Sequence, residues 1–120
     1  MPSRRLLRVA DLLREEIDAI LRRSVHDPRV QERDFTITRV EASPDLRHAR
    51  AFVSTLLDEA GRDALLEGMN RAAGFVHREL MGRVRLKAIP AVEFVYDPGL
   101  AQGQRIADLL TTLKHERPQP

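Results

Sequence analysis

The sequence has 120 residues, 42% of them hydrophobic and 32% charged, which fits one soluble domain with a single modest core and leaves no room for a second of ordinary size. It contains no Cys, so disulfides, CxxC redox chemistry and thiolate metal sites are excluded and a reducing compartment is expected. Formal net charge is only +2 and 18 of the 20 cations are Arg; Arg suits bidentate phosphate contacts, although a GC-rich genome produces the same bias.

From Arg4 to Val25 the apolar residues Leu6, Val9, Leu13, Ile17 and Ile20 recur at intervals of three or four, and Leu12 and Leu21 widen the stripe. The spacing predicts a long amphipathic helix. It should end near His26-Asp27-Pro28, because Pro28 pushes Asp27 out of the helical region and cannot continue the hydrogen-bond ladder. The apolar run at its start is broken by Arg8 and Asp11, so it is neither a secretion signal nor a membrane span, and a cytoplasmic protein is expected.

Residues 35–40, Phe-Thr-Ile-Thr-Arg-Val, are rich in β-branched side chains, with Phe35 and Ile37 on one side, and read as a strand. Ser43-Pro44-Asp45 supplies turn chemistry of type I. The chain resumes as a second strand over 48–54, whose small residues Ala49, Ala51 and Val53 share a face that lets a helix lie close to the sheet.

Glu67 to Lys87 is the central stretch. Leu65, Met69, Ala73, Val76, Leu80 and Val84 define a buried helical stripe, while Arg71, Arg78 and Arg85 recur every seventh residue on another face. Gly74 lies inside the pattern at a cost of about 1 kcal/mol relative to Ala, so Ala72-Ala73-Gly74 is expected to kink the helix. Residues 71–87 hold Arg71, Arg78, Arg83, Arg85 and Lys87 against the single acid Glu79, a local charge of +4, whereas residues 1–60 balance eleven Arg against eleven acids. The basic run is a candidate RNA-binding face, with Arg4, Arg5 and Arg8 next in line; its bland alternative is a solvated helix face tied by Glu67–Arg71 and Glu79–Arg83 pairs.

Pro90 breaks the chain before a third strand over 91–96, with Val92, Phe94 and Tyr96 facing the core. A last helix is expected over about 100–113 on Ile106, Leu109, Leu110 and Leu113, followed by a disordered polar tail over 114–120. The expected domain is therefore 1–113, a three-stranded sheet covered by helices on one face.

The order α-β-β-α-kink-α-β is that of an α+β, type II KH domain, a fold that binds single-stranded nucleic acid through a GxxG loop between its central helices. No GxxG occurs, and Ala72-Ala73-Gly74 stands at the equivalent place. The chain more closely resembles the bacterial ribosome-binding factor A family, on Arg8-Val-Ala-Asp-Leu-Leu-Arg-Glu-Glu16, Ser43-Pro-Asp-Leu-Arg-His-Ala49, Arg71-Ala-Ala-Gly-Phe75 and Pro90 with Phe94-Val-Tyr-Asp97, which together span residues 8 to about 110. The resemblance implies a non-catalytic assembly factor that binds the immature 30S small ribosomal subunit and its 16S rRNA, assists late processing of the rRNA 5′ end and supports growth in the cold.

The residues independently narrow the function. There is no GxSxG, P-loop, HExxH or GxGxxG. His26, His48 and His77 are too far apart for a metal set, and His26 reads as a last-turn residue complementing the helix dipole. No cofactor, metal, small-molecule substrate or membrane partner is expected, and a monomer is. Aromatic residues are 4% of the chain and mostly at strand positions, with Phe75 beside the kink ambiguous between core and base stacking. A generic single-strand-binding KH module and a protein-interaction domain using the first helix are the competing classes; the missing GxxG counts against the former.

Overall fold

A computed structural model describes residues 3–99. The elements run α1 (Arg4–Arg23), β1 (Thr36–Ala42), β2 (His48–Ser54), α2 (Glu59–Arg71), α3 (Ala73–Arg83) and β3 (Ala91–Tyr96). This is the expected α+β order. The last helix and the tail expected beyond Gly99 lie outside the described residues.

Helix α1 forms because its stripe closes on the core. Leu13, Ile17, Ile20 and Leu21 are buried, Ser3 caps the first turn by accepting from the Leu6 N–H, and Arg22 and Arg23 sit at the negative end of the dipole. The helix stops at Arg23, two residues short of expectation, because Ser24 leaves the helical region while its N–H still bonds Ile20.

In the sheet β2 is central, antiparallel to β1 and parallel to β3. The turn is as read: the Leu46 N–H donates to the Ser43 carbonyl at 2.8 Å, and Leu46 takes a φ of 57°. Ala49, Ala51 and Val53 are all buried. Strand β1 departs from a simple alternation. Ile37 pairs with Val53 and Arg39 with Phe52, leaving Thr38 as a bulge residue. A period of two from Phe35 and Ile37 would drive Arg39 into the core; the bulge moves the phase by one, so Arg39 turns outward and Val40 is buried.

Helices α1, α2 and α3 close one face of the sheet over Leu65, Met69, Val76, Leu80, Val92 and Phe94. Helix α2 begins at Glu59, earlier than the basic pattern suggested, because the Asp58 carboxylate accepts from the Gly61 N–H at 2.8 Å. The break from α2 to α3 pivots on Ala72 (φ −83°, ψ −1°), whose N–H is shared between the Gly68 and Met69 carbonyls. Gly74 is helical and exposed. Helix α3 then ends at Arg83, so the helical pattern expected to reach Lys87 is cut short by Val84, which adopts extended backbone.

Candidate nucleic-acid interface

The end of α3 redistributes the basic residues. Arg71 closes α2, Arg78 and Arg83 lie on α3, and Arg85 and Lys87 fall in the segment between α3 and β3. The seven-residue Arg stripe is thus not one helix face. Arg71, Arg78, Arg85 and Lys87 are exposed, and none forms an ion pair with another described residue. Arg78 folds back so that a guanidinium nitrogen lies 3.7 Å from where a Cβ on Gly74 would stand, which places its charge over the first turn of α3. Arg83 differs, because it reaches Glu16 of α1 at 3.7 Å and Glu79 at 4.0 Å. Part of its charge is committed to holding α3 against α1.

The expected Glu67–Arg71 pair is replaced by a longer-range one. Glu67 meets Arg29 at 3.1 Å, and Arg29 also clasps Asp27 through its side chain at 2.6 Å. Asp27 accepts from the Arg29 side chain and backbone N–H, which holds its carboxyl down at about 2. Arg71 adds to that cationic surrounding, so the end of α2 stands beside the Asp27–Arg29 turn.

Two further contacts fix the α2–α3 bend, and sequence reading missed both. Asn70 makes two hydrogen bonds with the Phe94 backbone, at 2.9 and 2.8 Å. An Asn in a helix interior immediately before a break was the available signal, since such a side chain competes for backbone partners. On the other side of the bend, His77 Nε2 lies 3.0 Å from the Ile89 carbonyl and donates to it. That is a structural role for His77. Phe75 is half-buried and packs against the core.

The sheet face away from the helices carries no cation excess. Arg50 stands in register between Glu41 and Glu93. Arg39 lies 3.9 Å above the Phe52 ring and bonds Glu41 and Asp97. Two Arg there face three acids, a surface that gives phosphates no net attraction. The unbalanced positive charge is instead on the bend and on the segment after it.

A family model described as ribosome-binding factor A matches residues 5–110. The chain belongs to the ribosome-binding factor A family. A relative from Thermomicrobium roseum is 41% identical over 117 residues, covering 98% of this chain and 89% of its own. One from Prochlorococcus marinus (strain NATL1A) is 39% identical over 115 residues, 96% of this chain and 94% of its own. Among solved structures, a homology model of the Thermus thermophilus ribosome binding factor A, fitted into a cryo-EM map of its 30S complex, is similar with a TM-score of 0.55 at 25% identity, covering 82% of this chain and 97% of that one. Ribosome-binding factor A is a ribosome-binding family rather than a catalytic one, and no helix among the described residues is long and apolar enough to cross a membrane.

Proposed function

We propose that this chain is a non-catalytic, cytoplasmic assembly factor that binds the free or immature 30S subunit as a monomer without a cofactor, contacts 16S rRNA, and assists late maturation including processing of the rRNA 5′ end, with a role in cold adaptation. Family membership supports the subunit as partner. The observation that carries the RNA contact is the uneven charge: the sheet face has no cation excess, while Arg71, Arg78, Arg85 and Lys87, on one stretch of chain, form no ion pair among the described residues, with Arg83 a weaker contributor. Such a surface binds phosphates through counterion release and reads little sequence.

The bend lacks the Gly pair that lets a KH loop approach phosphates, so affinity on this reading comes from cations and from fit to folded rRNA. Cosedimentation with purified free small subunits at low and high salt tests it. Binding that falls steeply with salt, and falls further when Arg78, Arg85 and Lys87 are reversed in charge, supports it; salt-independent binding would transfer the contact to subunit proteins. Depletion of the factor should then leave 16S rRNA with an unprocessed 5′ end, most severely in the cold.

A further inference from the structure

Three segments remote in sequence enclose a groove of about 720 Å³: the first turns of α1, the β1–β2 turn and the segment after α3. Its rim carries Arg5, Arg85 and Lys87, all exposed. None of the three is ion-paired among the described residues. Its floor is apolar, made by the half-buried Leu6, Val9, Leu46 and Leu86. Asp45, the one acid on the rim among the described residues, is engaged by its own turn: its carboxylate accepts from the Ser43 hydroxyl at 2.6 Å and the Arg47 N–H at 3.1 Å, bonds that hold its pKa below the ordinary range.

We propose that this groove takes an unpaired RNA strand, with phosphates on Arg5, Arg85 and Lys87 and a base laid on the Leu6–Leu86 floor. The inference deepens the rRNA-binding reading and rests on it. A cationic rim alone would accept a duplex. An apolar floor would not, because A-form RNA turns its bases inward and presents phosphates and 2′-hydroxyls, which gain nothing from Leu and Val. Of the two forms of RNA, the splayed-out strand is the one that satisfies both chemistries. The rim is continuous in sequence with the basic stretch at the bend, and the planar guanidiniums of Arg5 and Arg85 match phosphate oxygens. An acidic peptide with an apolar residue is the competing occupant, and the test includes it.

The measurement is a titration of the isotope-labelled full chain with hexauridylate, with a short RNA duplex of equal nucleotide number, and with a Glu- and Leu-containing peptide, following amide shifts and affinity together. The expected result is that hexauridylate binds about tenfold more tightly than the duplex and shifts the amides of residues 5–9, 45–46 and 85–88. Leu86→Ala and Leu46→Asn should each weaken the single strand by about threefold to tenfold and leave the duplex unchanged; Asn tolerates the positive φ at position 46, so the second variant guards against a folding defect in the first. Equal affinity for strand and duplex, shifts confined to residues 71–78, or tighter groove binding by the peptide would each overturn the proposal. Cosedimentation of the parent with small subunits separates the two readings. If subunits bind and hexauridylate leaves the groove untouched, the groove assignment fails alone; if hexauridylate fills the groove and subunits do not bind, the rRNA reading fails and the groove stands.

Discussion

Asn70 closes the free edge of β3 through Phe94: its Nδ2 donates to the Phe94 carbonyl at 2.9 Å and its Oδ1 accepts the Phe94 N–H at 2.8 Å. Among the described residues β3 pairs with β2 on one side only, and Phe94 points both backbone groups away from β2. The Asn amide completes the ladder there as another strand would. The same side chain pins the end of α2 one residue before Arg71 and two before the pivot at Ala72, so the direction of the basic surface is set by a hydrogen-bonded pair and not by helix propensity.

Asn70→Ala should destabilise the fold by about 1–3 kcal/mol, since it strips both partners from partly buried backbone groups. Asn70→Asp should cost at least as much, because a carboxylate oxygen then faces the Phe94 carbonyl. Urea unfolding measures both. If the two variants match the parent, the pair is incidental to the bend.

Two glycines of the same helical pair should respond in opposite directions. A Cβ on Gly68 would lie 2.9 Å from Arg29 Cβ and 3.0 Å from Val30 Cγ2, so Gly68→Ala pushes apart α2 and the turn over 27–33 and should cost about 1–3 kcal/mol. Gly74→Ala meets, among the described residues, only the end of the Arg78 side chain at 3.7 Å and should gain about 0.5–1 kcal/mol of helix stability. Subunit affinity of the Gly74 variant should equal the parent's, because the bend pivots at Ala72. Reduced affinity in a stabilised Gly74→Ala protein would restore the glycine to the RNA-facing surface.

Acid should erase the contribution of Asp27. Its folded carboxyl titrates at about 2 against 3.8 ordinarily, held there first by the Arg29 side chain and then by the Arg29 backbone N–H. A depressed acid favours the folded state while it is ionised, so its contribution is complete above 3.8 and disappears as the pH falls toward 2. Comparing Asp27→Asn with the parent along an acid titration should therefore give a stability gap that is constant at neutral pH and closes at the acid end. A gap independent of pH would mean that shape, not charge, holds the turn.

The basic residues should separate into two classes. Charge reversal at Arg78, Arg85 or Lys87 should each lower the slope of log affinity against log salt by about one, with unfolding unchanged. At Arg83, which spans Glu16 and Glu79 at 32% side-chain exposure, reversal should also lower stability, since a lost exposed pair is worth about 0.2–1 kcal/mol and the reversed charge adds repulsion. Equal behaviour of all four would remove the distinction.

Local spacing determined a good deal by itself. The stripe Leu13-Ile17-Ile20, the Ser43–Asp45 turn, the small-residue face of β2 and the helix break near residue 72 are written in residues close together, where period and turn chemistry act directly, and the ordered short stretches from Arg8 to Asp97 were enough to point to the family. The tertiary structure decided what depends on segments meeting. The bulge at Thr38 shifts by one which residues of β1 face the core, so that Val40 and not Arg39 is buried there. Gly68 is needed for the approach of Arg29, while the more conspicuous Gly74 touches little. Glu67 abandons Arg71 for Arg29. Arg85 and Lys87 leave the helix and meet Arg5 across the groove, a juxtaposition invisible in any local pattern because it is created by three chain segments packing on one core.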